Sequence, residues 1–563
     1  MTNANGLLAL ALLLASAALC AGDGAPRLLK AEAFGAVGDG KTDDGPAIAR
    51  MMAEAVKPGG PVRLQFGTGR TYYVKTSSDR YVFRFRKASQ LTLDGGGSTF
   101  LLDPYLRFLS LTECRNATIR SLKVDFSPLP FAEGTVTGVN ATARYLTVQL
   151  APGFSSVPAG GPTGEDGEQA FYSMLWFDGA YGPLGLHYWT KRLQPGPQAG
   201  TVCVYAAPDF NAFDQIQPGK WRISLPVPGI ADRFGPGACF DVAQNDTATF
   251  EDIELWSAPW MGFSVARNVG KLAFRRVSIR PKPGSGRLMS TWRDGFHVKG
   301  NSASLLWEDC IVSGMNDDAF NISTHSSAVD QVLSPTQLAV HQRFPLLPIP
   351  WRAGATLVAA DEATHRLLGT ARVTAVQTGP EPPLIQGLPA APLATLTLDH
   401  PIAGLAPGAM IWDPGQCNPD TTLRRCRIEM SCRLQSPVHI EKCQVTALLW
   451  FYAESIEGGF PHDVTITDSV LKRGRGNPTL AVVFSGAPTG PNPAPDAWAG
   501  PRAVHDMLLK GNEIWGGFVL EGTERARLTG NRFLESGAQL SLKGNLDLTT
   551  EGNTDAAGEA LPR

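Results

Sequence analysis

A short phrase of β-strand followed by a turn recurs along the chain, and this repeat constrains the fold more than any other feature. The copies lie at 118–122, 249–253, 273–277, 306–310, 423–426, 439–443, 465–469, 508–512 and 527–531. Several neighbouring copies are 17 to 26 residues apart. A period of this length, made of strands and turns, is typical of a parallel β-solenoid, whose coils bury their inward side chains by stacking. A β-sandwich is the alternative, but sandwiches do not repeat one strand–turn phrase many times.

Two long stretches, 130–228 and 326–413, lack the repeat and instead show alternating strand patterns. The segments 135–139 and 372–376 are alike, which predicts two related β-barrel modules inserted into loops of the solenoid. Insertions of this kind tend to lie on one face, often the binding face. The predicted division is 1–21 signal peptide, 22–129 first β-helix part, 130–228 first barrel, 229–325 central β-helix, 326–413 second barrel and 414–563 last β-helix part.

Composition excludes several classes of protein and of partner. Only 18% of the 563 residues are charged, against about 25% in an average protein. The 60 Gly and 43 Pro residues argue against a mostly helical chain, and a single short helix is expected at about 43–56. The net charge of −2 gives no reason to expect nucleic acid or an anionic membrane as partner.

The N-terminus predicts export from the cell. An apolar run of 13 residues from Leu7 to Leu19 is too short for a bilayer span, which takes about 20, and fits a signal peptide. A secreted or periplasmic location follows; a buried helix is the alternative, and no later segment predicts a membrane span.

The eight cysteines beyond the N-terminal segment contain no Cys-x-x-Cys pair, so the sequence leaves open whether they form disulfides or stay free in the stacked core.

Three carboxylates carry the chemical prediction. Asp294 lies 23 and 24 residues before the adjacent pair Asp317 and Asp318, which is one coil of the repeat. Residues one coil apart sit about 4.8 Å from each other in a parallel sheet, so the three should share one outward face. Their repulsion raises at least one pKa and leaves an acid beside ionised neighbours, as hydrolysis of a glycosidic bond requires. A calcium site is the competing use of three such acids.

The chain also resembles known families at these residues. Residues 34–44 resemble the opening signature of pectin-lyase-like right-handed β-helices. Asp294-Gly295-Phe296-His297 followed by Asp317-Asp318 resembles the three aspartates of family 28 polygalacturonases, although the Gly-His-Gly and Arg-Ile-Lys elements of that family are missing. The whole layout is more similar to glycoside hydrolase family 110, whose members are inverting exo-acting α-1,3-galactosidases.

The resemblance implies an all-β, right-handed parallel β-helix with two inserted barrels and an α-1,3-galactosidase activity. It implies Asp317 as general acid, with Asp294 and Asp318 activating water, and it calls for no metal or organic cofactor. The expected partner is an oligosaccharide or glycoconjugate with terminal α-galactose, linear or of blood group B type; the oligomeric state is left open.

A neutral hexose is bound by hydrogen-bonding groups and an aromatic platform. The substrate-binding candidates are His297, Asn321, His325, Trp260 and Glu454, and Trp292, Arg433 and Trp450 lie in coils that could also face the cleft. Two other functions remain open. A polygalacturonase-like hydrolase of a uronate polymer would need a basic cluster, for which Arg293 and Lys299 are available. A glycan-binding β-helix without catalytic activity would bind but never turn over.

Overall fold

The protein is described from a computed structural model, which covers residues 25–154, 171–179, 182–227, 230, 237–343, 349–379, 384–385, 388–389, 393–452, 457–475, 477, 479–486 and 501–561. The predicted signal peptide at 1–21 and the candidate residue Glu454 lie outside the described residues. In the described part, the longest helix is Gly45–Ala55, which is far too short to cross a membrane. It forms where the sequence predicts the one short helix.

Parallel strands stack into two long sheets that form the walls of a solenoid. The first, sheet A, contains Arg27–Lys30, Asp39–Asp43, Val62–Gln65, Thr71–Val74, Leu91–Leu102, Arg115–Phe126, Asp246–Leu255, Val269–Ile279, Ser304–Glu308, Ile311–Val312, Asp420–Arg424, Arg427–Ile428, Val438–Glu441, Gln444–Ala447, His462–Thr467, Val470–Arg475, His505–Lys510, Glu513–Trp515, Glu524–Thr529, Arg532–Phe533 and Thr549–Glu551. The second, sheet B, contains Tyr81–Arg86, Arg107–Thr112, Phe240–Ala243, Phe263–Ala266, Phe296–Lys299, Phe320–Ser323, Cys432–Leu434, Leu449–Tyr452, Leu480–Ser485, Gly517–Glu521 and Leu540–Ser541. The predicted right-handed parallel β-helix is therefore confirmed.

Stacked side chains hold the coils in register. Inside the solenoid, the rings of Phe263, Phe296 and Phe320 lie 5.0 and 5.1 Å apart on successive strands of sheet B. At the turn that follows this sheet, buried asparagine amides form a ladder, in which Asn268 donates to Asn301 at 2.9 Å and Asn301 to Asn418 at the same distance. The ladder satisfies turn groups that would otherwise be buried unpaired. All eight described cysteines are buried and free.

Two closed six-stranded barrels interrupt the solenoid, and they share one strand order. Barrel 1 consists of Phe131–Asn140, Tyr145–Leu150, Phe171–Gly179, Gly182–Pro195, Thr201–Ala206 and Arg222–Pro226. Barrel 2 consists of Ser327–Ser334, Gln337–Gln342, Thr356–Ala360, Leu367–Thr378, Leu393–Leu398 and Met410–Trp412. Numbered along the chain within each barrel, both close in the order 1-2-5-4-3-6. The remaining elements are a small hairpin of Leu384–Ile385 with Leu388–Pro389, and 3₁₀ turns at Ala31–Phe34, Phe213–Gln215 and Pro414–Gln416.

The connections place the barrels on opposite edges of sheet B. Barrel 1 leaves sheet A after Arg115–Phe126 and returns to sheet B at Phe240–Ala243, so it lies on the edge where sheet B strands begin. Barrel 2 follows Phe320–Ser323 and returns to sheet A at Asp420–Arg424, on the edge where those strands end. The outer face of sheet B is thus a floor between two side walls.

Candidate active site

Three aspartates meet just before two neighbouring strands of sheet B, on the barrel 1 edge. The parallel register of Phe296–Lys299 with Phe320–Ser323 continues backwards to place Asp294 beside Asp318, with Asp317 one residue earlier. One carboxylate oxygen from each of the three lies within 4.8 Å of those of the other two. We call these three residues the acid cluster, and its assembly follows from the spacing of one coil in the sequence.

A column of stacked side chains adjoins the acid cluster. Arg293 lies beside Asp317 on the next coil and donates to its carboxylate at 2.9 Å. The guanidinium also lies 5.2 Å from the ring centre of Trp260, which is on the preceding coil. Trp260 is therefore near the acids as predicted, but this ring is in contact with Arg293.

Burial and mutual repulsion make two of the acids hard to ionise. Asp294 is 3% exposed and Asp318 8%. Burial, with the negative charges of Asp317 and Asp318, raises the pKa of Asp294 well above its usual value. Burial and the charge of Asp317 raise the pKa of Asp318 to about 7, even though Ser431 donates a hydrogen bond to its carboxylate at 3.0 Å. A proton is thus held within the acid cluster near neutral pH.

A second group of charges lies on the same floor, and we call Lys299, Arg433 and Glu457 the ion-paired cluster. Lys299 is buried, and the other two are half-buried. The carboxylate of Glu457 is 2.9 Å from the Arg433 guanidinium and 3.3 Å from the Lys299 ammonium. Asn321 bridges the group, because it accepts from Lys299 at 2.7 Å and donates to Glu457 at 3.1 Å. Burial opposes ionisation of Glu457, but the attraction of the two cations holds its pKa well below its usual value.

Outward side chains of adjacent strands form one row across the floor. The register places His297 beside Asn321, Asn321 beside Arg433, and Arg433 beside Trp450, which is stacked on Tyr452. Arg433 also connects the two clusters, since its guanidinium lies 3.4 Å from the Asp318 carboxylate.

Both predicted histidines are neutral. Burial and the charge of Lys299 lower the pKa of His297 well below its usual value, and they lower that of His325 to about 3. His297 stands 3.9 Å from the Asp294 carboxylate. His325 follows the floor strand and lies on the barrel 2 edge. A neutral imidazole can both donate and accept a hydrogen bond, which suits sugar hydroxyls.

The structure corrects one expectation and adds one residue. Trp292 does not face the cleft: it is 1% exposed and belongs to the solenoid core. Glu457 was missed, because it lies in a loop after the strand Leu449–Tyr452 and carries no repeat or motif. Its partners Lys299 and Arg433 were noticed in the sequence, and two cations on one buried face would have been the signal to search for an acid.

The acid cluster meets the spacing that a divalent cation requires. Among the described residues it is the only such group of His, Cys, Asp and Glu side chains. Geometry therefore admits both uses named from the sequence, acid–base chemistry and cation binding.

Known proteins resemble this chain in sequence. It is 24% identical over 451 residues to an α-1,3-galactosidase B of Bacteroides thetaiotaomicron, covering 76% of this chain and 63% of that protein. It is 25% identical over 305 residues to an α-1,3-galactosidase A of Shewanella woodyi, covering 49% and 48%. The chain spans less than two thirds of the length of these relatives. The resemblance to α-1,3-galactosidases is thereby confirmed, although no family model matches the chain.

Two solved structures are similar to this chain at low identity and low TM-score. The mannuronan C-5 epimerase AlgE4 A-module of Azotobacter vinelandii is 12% identical, with 93% of this chain and 96% of that chain covered and a TM-score of 0.36. The family 28 exopolygalacturonase of Yersinia enterocolitica is 10% identical, with 94% and 79% covered and a TM-score of 0.29.

Proposed function

We propose that the protein is a glycoside hydrolase that removes terminal α-1,3-linked galactose from glycans, linear or of blood group B type, with inversion at the anomeric carbon. The observation that supports this most is the acid cluster, which holds a proton beside carboxylates on a floor bounded by two barrels. The relatives named α-1,3-galactosidases supply the linkage. Secretion or a periplasmic location remains a prediction.

We assign Asp317 as the general acid and Asp294 with Asp318 as the residues that hold and deprotonate water. The side chain of Asp317 is 21% exposed, against 4% for Asp294 and 11% for Asp318. The leaving group of an exo-acting enzyme points out of the pocket, so the acid should be the most exposed of the three. Because the raised pKa values place the proton of the cluster on Asp294 or Asp318, this assignment requires that Asp317 receives that proton, and the carboxyl that releases it then acts as a base.

The close spacing of the acids supports a second candidate, hydrolysis with retention. Inverting enzymes usually separate their two carboxyls by about 6.5–9.5 Å and retaining ones by about 5–5.5 Å. One oxygen from each acid lies within 4.8 Å of the others, so the facing oxygens at least are closer together than the first range. Inversion requires that two of the three acids share one water, while the third protonates the leaving oxygen.

Charge pairing argues against a uronate substrate. Each cation close to the acids has an acidic partner: Arg293 pairs with Asp317, and Lys299 pairs with Glu457. Arg433 contacts both Glu457 and Asp318. A uronate carboxylate needs a cation whose charge is not already balanced. The balanced floor suits a neutral hexose better.

Proton NMR of the reaction with Gal-α-1,3-Gal tests the proposal. We expect release of galactose with the β-anomer formed first; α-galactose formed first would show retention. Shortened polygalacturonate without galactose release would move the protein to the uronate hydrolases. Glycan binding with no turnover of either substrate would show a binding protein. Activity that persists in EDTA would argue against a catalytic cation.

The role of Asp317 is tested with two leaving groups. Because general acid catalysis typically contributes about 10²–10⁴-fold, Asp317→Asn should lose about that factor on the disaccharide. It should lose far less on an aryl α-galactoside whose leaving group needs no proton. Asp309→Asn is the matched control, since Asp309 lies in a turn and pairs with Arg425 at 2.8 Å, away from the floor. Equal losses on both substrates would assign the acid to another aspartate.

A further inference from the structure

The acid cluster sits on two loops that lead into neighbouring strands of sheet B. Asp294 lies between the strands Val269–Ile279 and Phe296–Lys299, and the Asp317–Asp318 pair lies between Ile311–Val312 and Phe320–Ser323. Neither position belongs to a strand, although backbone N–H groups of neighbouring coils still reach them: Gly262 donates to the Asp294 carbonyl and Gly295 to the Asp318 carbonyl, both at 2.9 Å. Contacts from outside the coils can therefore add to what places these carboxyls.

Barrel 1 reaches the second of these loops through a buried hydrogen bond. Ser224, on the barrel strand Arg222–Pro226, donates from its hydroxyl to the side-chain oxygen of Asn316 at 2.7 Å. Both residues are fully buried, and Asn316 immediately precedes Asp317. The Asn316 backbone N–H in turn donates to the carbonyl of Thr291 at 3.1 Å, which connects the loop to its neighbour.

The same edge of barrel 1 also holds the first loop. Glu133 is 1% exposed, and its carboxylate accepts hydrogen bonds from the backbone N–H groups of Leu288 and Met289 at 3.0 Å. Arg222 lies 3.5 Å from this carboxylate and balances its charge. Glu133 and Ser224 are directly paired residues on adjacent barrel strands, so one spot on barrel 1 contacts both loops.

We propose that Ser224 and Glu133 are positioning residues, through which barrel 1 sets the relative placement of the three aspartates. They do not contact substrate; they act through the loops at 288–294 and 313–318. The catalytic consequence rests on the proposed function, whereas the ordering of the loops does not. Reacting groups misplaced by about 1 Å can cost on the order of 10²-fold in rate.

A pair of hydroxyl deletions within barrel 1 tests the proposal. Ser224→Ala removes the bond to Asn316, whereas Tyr188→Phe removes a buried bond from the Tyr188 hydroxyl to the Val204 carbonyl at 2.8 Å, which stays inside the barrel. Ser224→Cys keeps the size with a weaker donor and serves if the alanine variant does not fold.

Hydrogen exchange of the full-length variants gives a readout that does not need activity. Ser224→Ala should speed amide exchange at 288–294 and 313–318, and Tyr188→Phe should speed it only within barrel 1. Unchanged exchange of both loops in Ser224→Ala or Ser224→Cys would overturn the positioning role.

Kinetics give the second readout. Ser224→Ala should lower kcat on Gal-α-1,3-Gal by about 10- to 100-fold with little change in KM, and shift the pH profile of kcat. Tyr188→Phe should keep both values. Unchanged kcat and pH profile in Ser224→Ala, with an active wild type, would overturn the catalytic consequence alone. A wild type that releases no galactose would instead overturn the proposed function, and the exchange experiment would still decide the positioning role.

Discussion

The two clusters on the floor of sheet B both contain carboxylates that are largely shielded from water, yet their protons behave in opposite ways. In the acid cluster the pKa of Asp318 rises to about 7, whereas in the ion-paired cluster the pKa of Glu457 falls well below its usual value. Burial penalises the charged form in both. The difference comes from the neighbours: other carboxylates crowd Asp318, and two cations face Glu457.

This difference in pKa assigns the acid cluster to the chemical step and the ion-paired cluster to substrate binding in the proposed function. A carboxyl that exchanges its proton near neutral pH can act as acid or base. A carboxylate that stays ionised with fixed partners offers a rigid set of hydrogen-bond groups instead. Arg433 lies between the two clusters and contacts a carboxylate of each, so the two halves of the floor are electrostatically connected. Neutralising one acid should therefore have opposite effects on stability in the two clusters.

The largest effect is expected on catalysis in the acid cluster. Asp294→Asn and Asp318→Asn should each lower kcat by about 10²–10⁴-fold, because each removes a base that activates water. Unlike Asp317→Asn, neither should be rescued by a good leaving group. Rates on Gal-α-1,3-Gal and on an aryl α-galactoside, compared with Asp309→Asn, measure this. Full activity in either variant would remove that aspartate from the chemistry.

A smaller effect on catalysis and a loss of stability are expected in the ion-paired cluster. Glu457→Gln leaves Lys299 buried without its carboxylate, and breaking a buried pair costs about 3–5 kcal/mol. We expect a lower free energy of unfolding and a rise in KM for the disaccharide, with a smaller change in kcat.

Glu362→Gln is the matched control for Glu457→Gln. Glu362 is also ion-paired, to Arg343 at 2.6 Å, but its side chain is 41% exposed in barrel 2. Exposed pairs contribute only about 0–1 kcal/mol, so this variant should be close to wild type. Equal stability losses from the two substitutions would show that Glu457 is no better paired than a surface residue.

The acid cluster was predictable because it depends only on the number of residues between Asp294 and the Asp317–Asp318 pair. A spacing of 23 to 24 residues is one coil, and stacking in a solenoid brings residues one coil apart together whatever their side chains. The inward or outward direction of Trp292 was not predictable, because it stands in a turn where strand alternation does not apply. Glu457 was missed because the coil that follows Arg433 is shorter and stacks Trp450 on it, which leaves Glu457 beyond the strand Leu449–Tyr452, where no register fixes its position.

Barrel placement shows the same limit on a larger scale. Alternating strands in 130–228 and 326–413 predicted two related modules, and two closed barrels with one strand order are found. Nothing in the sequence connects Ser224 with Asn316, which lies 92 residues further along the chain. A bond of that kind depends on the docking of one module against another, which periodicity does not encode.

The smallest expected effect is the pH dependence of stability. It shows whether neutralising an acid raises or lowers the free energy of unfolding in each cluster. The pKa of Asp318 is raised in the folded state, so between about pH 4 and 7 the folded protein binds more protons than the unfolded chain. This contribution to stability grows as pH falls from about 7 to 4 and is lost as pH rises through 7. Asp318→Asn should remove it and gain roughly 1–3 kcal/mol over wild type at pH 8, with little gain near pH 4.

Unfolding by denaturant at pH 5 and pH 8 measures this term. Asp309→Asn should behave oppositely. The hydrogen bond from Arg425 lowers the pKa of Asp309, so any effect of removing this carboxylate is a loss of stability at pH 8. A stability gain at pH 8 in Asp318→Asn beside a loss in Glu457→Gln would establish that neighbours, rather than burial, decide the proton balance on this floor. Losses in both variants would mean that the acid cluster is held by interactions strong enough to offset its own repulsion.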